Sequence, residues 1–120
     1  MQQDIEFFIP AERADTAAAL REYATRRLSF ALRRFEQRVR RITVRLVDQN
    51  GPRRGVDSRC CMIVELVGGR RVLAEATTAW PFASVARAAE RVSSVVRKEG
   101  GRATSHRAPH SSAWPGLDGA

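Results

Sequence analysis

The cations on the outward side of a C-terminal helical segment are the residues with the clearest chemical potential. Opposite its apolar stripe this segment carries Arg87, Arg91, Ser94 and Lys98, at spacings of four, three and four residues. Three of the four side chains are cationic and none is acidic, whereas a solvated helix face usually mixes both signs. A stripe about 16 Å long, from roughly eleven residues at 1.5 Å each, can meet several phosphates. A plain solvated face is the alternative.

The first long helical segment carries a second group of cations. Between Arg21 and Arg41 the chain has eight arginines and two glutamates. The arginines predicted to point away from the apolar stripe, or to lie on its flank, are Arg26, Arg27, Arg33, Arg34 and Arg38. Tyr23 and Phe30 fall among them, and aromatic rings interleaved with arginine can stack on bases. Such rings can equally cover a partner protein or pack under a loop.

A third pair of cations, Arg53 and Arg54, lies in the polar, glycine-containing segment 48–58. From a loop these side chains can reach a phosphate backbone, and a solvated loop explains them equally well. The predicted RNA-binding set therefore consists of Arg26, Arg27, Arg33, Arg34, Arg53, Arg54, Arg87, Arg91 and Lys98.

The overall charge agrees with a polyanionic partner. Twenty-one Lys and Arg against thirteen Asp and Glu give a net charge of +8 and a pI near 11.3. A pI above about 9 in a single domain is typical of nucleic-acid binding, because phosphate contacts release counterions. No apolar run reaches the ~18–20 residues of a membrane span. Because no basic region followed by an apolar stretch opens the chain, we expect a cytoplasmic protein.

Catalytic residue patterns are absent from the sequence. Residues 1–99 contain no histidine, no nucleophile motif and no glycine-rich phosphate loop, so the sequence predicts a protein that is not an enzyme. His106 and His110 are four apart, but their segment has no helix signal that would organise a metal site. We therefore expect no metal, no cofactor and no small-molecule substrate.

The two cysteines, Cys60 and Cys61, are adjacent. Neighbours in a strand point to opposite faces, so the pair is poorly placed to share a metal ion. A disulfide is not expected in a cytosolic protein. The prediction is one thiol packed in the core and one partly exposed.

Hydrophobic periodicity assigns these residues to six elements. Alternation predicts strands at 3–9, 42–47, 59–67 and 70–76, and three- and four-residue steps predict helices from Asp15 or Thr16 to about Gln37 and over 81–99. Asp15 or Thr16 is the expected cap of the first helix. Gly68 and Gly69 form a predicted two-residue hairpin turn, since both central positions take positive φ easily.

The order of these elements predicts an α+β fold, β-α-β-β-β-α. One four-stranded sheet carries both helices on one face, and the α-β-β-β-α part has the order of double-stranded-RNA-binding domains. The other face is left to residues that include a few apolar ones: Thr43, Arg45, Val47, Cys61, Ile63 and Glu65. The folded domain is expected to cover 1–99. The Gly-, Ser-, Pro- and His-rich segment 100–120 is predicted to be a disordered tail.

Three stretches of the chain resemble a known family. They are LREYATRRLSFALRRFEQRVRRITVRLVDQNG, GVDSRCCMIVELVGGRRVLAEA with its Asp-x-Arg-Cys segment, and the final helix with its outward cations. The three stretches lie between Leu20 and Lys98. This combination resembles the hibernation-promoting factor and ribosome-associated inhibitor family, also described as sigma-54 modulation proteins. The chain is similar to the short members, which lack a second, dimerising domain.

The resemblance implies a ribosomal partner. In that family the basic outer surface of the two helices contacts small-subunit ribosomal RNA in the channel for mRNA and tRNA. Arg87, Arg91 and Lys98 match positions that are commonly basic there, while Ser94 stands where relatives often have another cation. The family's Asp-x-Tyr-x-Ala-Ile start of the last helix reads WPFASV here, which keeps the aromatic residue and loses the acid. The implied function is inhibition of translation under stress.

Two alternatives remain open at the level of sequence. A protein–protein adaptor would use the second sheet face, with Val47 and Ile63, together with Trp114 in the tail. A stand-alone binder of structured RNA would use the same cations without the ribosome.

Overall fold

One mixed sheet and two helices make up residues 4–50 and 56–101, the part of the chain that this computed structural model describes. In chain order the elements are β1 (Asp4–Phe8), a 3₁₀ segment (Ala11–Thr16), α1 (Ala17–Ala31), a second 3₁₀ segment (Arg33–Arg38), β2 (Val39–Asn50), β3 (Val56–Leu66), β4 (Arg71–Thr78) and α2 (Pro81–Gly101). The predicted β-α-β-β-β-α order and α+β class are confirmed.

The sheet order is β1-β2-β3-β4, with β1 parallel to β2 and the other pairs antiparallel. The register aligns one row of β-branched side chains across all four strands, namely Ile5, Ile42, Val64 and Val72. Because strand side chains alternate between faces, every second residue from this row belongs to the same side. That side is the one that the helices cover.

The core lies between this side of the sheet and both helices. Leu20, Ala24 and Leu28 of α1 and Val85 and Val92 of α2 are buried in one cluster with the strand residues. Fully burying an aliphatic side chain of this kind stabilises the fold by about 1.5–3 kcal/mol. The predicted apolar stripes thus hold the helices on one face of the sheet and leave their opposite sides in solvent.

The first helix is shorter than predicted. It ends at Ala31, because Leu32 leaves helical geometry at φ −106° and ψ 11°, and the chain continues as the 3₁₀ segment Arg33–Arg38. Leu32 is nevertheless fully buried and Phe35 packs against the core. The apolar spacing therefore persists beyond the helix. The tighter 3₁₀ turn also redirects the chain, so that β2 can pair from Val39 onward.

The start of α1 was predicted correctly, but its cap was not. Thr16 stands immediately before the first helical residue, Ala17, and makes no side-chain capping bond. Its hydroxyl donates instead to the carbonyl of Arg13, at 3.3 Å. The preceding 3₁₀ segment offers this carbonyl as a nearby acceptor, so the hydroxyl turns backward rather than forward.

The hairpin of β2 and β3 is longer than predicted. Asp48 pairs with Ser58 and Asn50 with Val56 across the strands, where the polar composition predicted a loop over 48–58. The Arg13 guanidinium supports this end, since its Nε donates to Asp48 Oδ1 at 3.1 Å and its Nη2 to Ser58 Oγ at 3.3 Å. Antiparallel pairing and these bonds give hydrogen-bond partners to polar groups for which the sequence pattern predicted exposure to solvent.

The second hairpin turns at the predicted glycines, but its loop has three residues, 67–69, rather than two. The Leu66 amide donates to the Arg70 carbonyl at 2.7 Å, and Glu65 pairs with Arg71. Gly68 and Gly69 both have positive φ, 101° and 93°, and the Gly69 amide donates to the Leu66 carbonyl at 3.0 Å. After this turn β4 extends to Thr78, two residues beyond the predicted strand. Helix α2 begins at Pro81 as expected and ends at Gly101 rather than near Glu99.

Both thiols are buried, one on each side of the sheet. Cys60 belongs to the helix-covered core, while Cys61 is 0% exposed in a small cluster with Ile63 and Leu73 on the other face. The prediction that one thiol would be partly exposed is wrong. Burial raises the pKa of each to about 12, and Glu75 adds to the rise at Cys61. Neither is therefore a thiolate at neutral pH.

Candidate nucleic-acid interface

Helices α1 and α2 lie side by side and run in the same direction. Tyr23 of α1 contacts Phe82 of α2, with ring centroids 5.3 Å apart. One turn further along α1, Arg27 Nη2 lies 3.7 Å from Glu90 Oε2, two turns further along α2. Both helices are therefore followed from their first to their last residue in the same direction as one moves from the first contact to the second. The outer sides of the helices therefore form one continuous surface away from the sheet.

The predicted stripe on α2 borders this surface and, at Arg91, reaches the β4 edge of the sheet. Arg87, Arg91 and Lys98 are exposed and Ser94 is half-buried. Within residues 4–50 and 56–101 no carboxylate forms an ion pair with any of the three cations. Their charge is thus not neutralised by the neighbouring elements that the structure describes.

Arg91 is additionally anchored to the sheet edge. Its Nη1 donates to the backbone carbonyl of Glu75 on β4, at 2.7 Å. A guanidinium has five N–H donors, so this bond orients the group and leaves further donors for a ligand. A phosphate at this position would meet an arginine that is already held in place.

The α1 cations occupy the adjoining part of the surface. Arg26 is exposed, whereas Arg27 is half-buried and its guanidinium carbon lies 6.0 Å from the centroid of the Tyr23 ring. The pairing of Arg27 with Glu90 involves a carboxylate that is 71% exposed. Such an exposed pair contributes little energy, so a phosphate can compete with Glu90 for Arg27.

The remaining predicted cations differ in position. Arg33 and Arg34 are exposed, but they lie in the 3₁₀ segment rather than on α1. Their prediction as residues of a helix face was wrong, because α-helical backbone geometry ends at Ala31. Arg53 and Arg54 lie outside the described residues, as do His106, His110 and the predicted tail beyond Gly101.

One exposed aromatic residue at this surface was missed. Trp80, which directly precedes α2, is 62% exposed, and its ring centroid lies 5.4 Å from that of Phe82. Of the aromatics that were singled out, Phe30 is 75% exposed and Tyr23 packs against the core. A tryptophan immediately before a basic helix was the sequence signal that could have drawn attention to it.

The opposite sheet face is organised differently. Arg59 Nε donates to Glu75 Oε1 at 2.9 Å, and the Arg45 guanidinium lies 4.8 Å above the ring of Phe8. Ile63, which the adaptor hypothesis placed at a docking surface, is 6% exposed. Its side chain is therefore part of a small second core and offers little area to a partner.

The described part of the chain contains neither a membrane-spanning helix nor a metal-binding group of side chains. None of its helices is long and apolar enough to cross a membrane. Across residues 4–50 and 56–101 there is no group of three His, Cys, Asp or Glu side chains that could hold a metal ion.

Comparison with known proteins identifies the fold. No family model matches the chain, and no curated protein matches it either. Among solved structures it is similar to one titled the crystal structure of Thermus thermophilus Protein Y N-terminal domain. The TM-score is 0.55 at 23% sequence identity, over 82% of this chain and 98% of that one. The chain therefore shares the fold of that domain.

Proposed function

We propose that this protein is a non-enzymatic RNA-binding factor that occupies the mRNA and tRNA channel of the small ribosomal subunit and inhibits translation during stress. The proposed RNA-binding residues are Arg26, Arg27, Arg33, Arg34, Arg53, Arg54, Arg87, Arg91 and Lys98. The arginines neutralise phosphates while the folded domain excludes mRNA and tRNA sterically. No bond is made or broken, and displacement of the protein reverses the inhibition.

The observation that carries the proposal is the cationic surface of α1 and α2. Arg26, Arg87 and Lys98 are exposed there without an ion-pair partner among the described residues. Holding like charges together costs free energy through self-repulsion, and among the described residues the exposed Glu90 pairs only with Arg27. A polyanion removes that cost and releases its own counterions on binding.

Two further observations support a ribosomal partner. The sequence stretches that resemble the hibernation-promoting factor family include α1 and α2, the same two helices that form the cationic surface. The fold that this resemblance implies is also the fold shared with the Thermus thermophilus Protein Y N-terminal domain.

Sedimentation of cell extract through a sucrose gradient tests the proposal, with the protein followed by immunoblot at low salt and at about 0.5 M salt. We expect comigration with small subunits or whole ribosomes at low salt and loss at high salt. A protein engaging about 6–10 phosphates loses about 10³–10⁵ in affinity between 50 and 200 mM salt. Protein that stays at the top of the gradient under every growth condition would refute ribosome association. Association that survives nuclease and high salt would favour the adaptor instead.

A further inference from the structure

Three aromatic rings form a row at the start of the groove between the two helices. Tyr23 of α1, Phe82 of α2 and Trp80 just before α2 are joined by centroid distances of 5.3 Å and 5.4 Å. We call these three side chains the aromatic row. Its inner members, Tyr23 and Phe82, pack against the core, while Trp80 forms its exposed end.

Hydrogen bonds hold the backbone of Trp80 in one conformation. The Thr78 hydroxyl accepts from the Trp80 amide at 3.1 Å and is within 2.7 Å of its carbonyl. The same carbonyl accepts from the Ser84 amide at 3.1 Å, in the first turn of α2. Pro81, the next residue, is buried. Because the backbone is held, only the side-chain torsions of Trp80 lose freedom when a ligand packs on the ring.

Cations lie next to the aromatic row. The Arg27 guanidinium is 6.0 Å from the Tyr23 ring centroid, and Arg26 is exposed on the same turn of α1. Arg87 is seven residues after Trp80, roughly 10 Å along the chain at 1.5 Å per helical residue. A flat apolar ring flanked by cations is the combination that binds unpaired bases, because the ring stacks on a base while the cations meet the adjoining phosphates.

We infer that Trp80, supported by Phe82 and Tyr23, is a stacking site for an unpaired RNA base. This inference rests on the proposed RNA-binding function and adds the class of ligand at one position. The cationic surface meets the phosphates, which every RNA carries. The aromatic row requires a base outside a duplex, so it favours single-stranded segments over fully paired helices.

Fluorescence titration of the full chain tests the inference. The chain has two tryptophans, and the substitution Trp114→Phe leaves Trp80 as the sole emitter. The probes are an oligoadenylate of about twelve nucleotides, within the usual site sizes, and a ribose-phosphate chain of equal length without bases. Both probes carry the same phosphates. We expect oligoadenylate to quench Trp80 and to bind about 5- to 150-fold more tightly than the abasic chain, the range for one stacked base.

Matched variants separate stacking from charge. These variants are measured by fluorescence anisotropy of end-labelled probes, because Trp80 substitutions remove the tryptophan signal. Trp80→Ala should abolish the preference for oligoadenylate and leave the salt dependence of binding unchanged, because no phosphate contact is removed. Trp80→Phe should retain most of the preference, since a ring remains. Phe30→Ala is the control, because it removes an exposed ring of α1 that lies outside the aromatic row, and it should leave the preference intact.

The possible failures are distinguishable. If both probes bind equally and Trp80 emission does not change, the stacking site is refuted while RNA binding stands. If Phe30→Ala lowers the preference as much as Trp80→Ala, stacking is not localised at Trp80 and the inference is also refuted. If neither probe binds even at low salt, the proposed RNA-binding function fails together with the stacking site.

Discussion

Arginine has two different roles on the two sides of this molecule. On the open sheet face, Arg59 is bonded to Glu75 and Arg45 lies over Phe8. On the helix surface, Arg87 is exposed and has no ion-pair partner among the described residues. The open face uses its cations to cover a small buried cluster. The helix surface keeps them available for a ligand.

Both faces carry arginines, so the number of cations alone does not show which face attracts a polyanion. Across the sheet Arg41, Glu65 and Arg71 stand in one row, where the strand register places acid between the two cations. Neighbouring charges of opposite sign on adjacent strands attract one another. No such alternation exists along the outward side of α2, so a polyanion gains more there for the same number of arginines.

The largest expected effect comes from reversing charge on the helix surface. Arg87→Glu with Arg91→Glu should weaken binding to small ribosomal subunits by about 10²-fold or more, because hydrogen bonds to charged groups contribute roughly 1.5–3 kcal/mol each. Binding is measured by cosedimentation at low salt, with circular dichroism to check that the fold is retained.

The matched control for this variant is Arg41→Glu with Arg71→Glu, also checked by circular dichroism because it places acids on both sides of Glu65. Both arginines are exposed on the open face, so the net charge changes by the same amount. We expect this variant to bind within about threefold of the parent chain, since long-range effects of exposed charges are screened. Equal losses in both variants would show that net charge alone drives binding and would end the distinction between the two faces.

A smaller effect is expected from removing apolar volume beneath the open face. Ile63→Ala should lower the free energy of unfolding by about 2–4 kcal/mol, the usual cost of truncating a buried Ile. Urea denaturation measures this change. Because Ile63 does not touch the helices' outer surface, the folded fraction should bind ribosomal subunits as the parent does. Unchanged stability with lost binding would instead indicate that this face docks a partner.

The smallest expected effect concerns the ion pair on the open face. Glu75→Gln removes the charge that pairs with Arg59 and retains the size of the side chain. Both partners are about a third or more exposed, so we expect a loss of less than about 1 kcal/mol in urea denaturation. A loss of several kcal/mol would mean that this pair, rather than the buried cluster, stabilises the face.

Much of the fold followed from local patterns, and the errors have identifiable causes. Alternation in β2, β3 and β4 and the three- and four-residue steps of α2 were sufficient for those elements. The end of α1 was misplaced, because Leu32 and Phe35 keep apolar spacing while the chain turns toward β2. The hairpin around Asp48 was misplaced because its bond to Arg13 comes from 35 residues away.

The candidate site was less accessible to sequence reasoning than the fold. Arg87, Arg91 and Lys98 were identified because they lie opposite a clear apolar stripe. Trp80 was missed because its importance depends on Phe82 and Tyr23, and the contact with Tyr23 joins two helices far apart in the chain. Which residue of α1 faces which residue of α2 depends on how the helices pack, and no periodicity within one helix determines that.

By itself the sequence determined the class of fold, the face that each helix buries and the excess of positive charge. These are local or additive properties, since periodicity follows from backbone geometry and net charge is a sum over residues. Only the tertiary structure decided that Cys61 is buried, that Arg59 is paired, and that Trp80 ends an aromatic row beside cations. Each of these depends on contacts between distant residues, which form when the sheet and helices pack together.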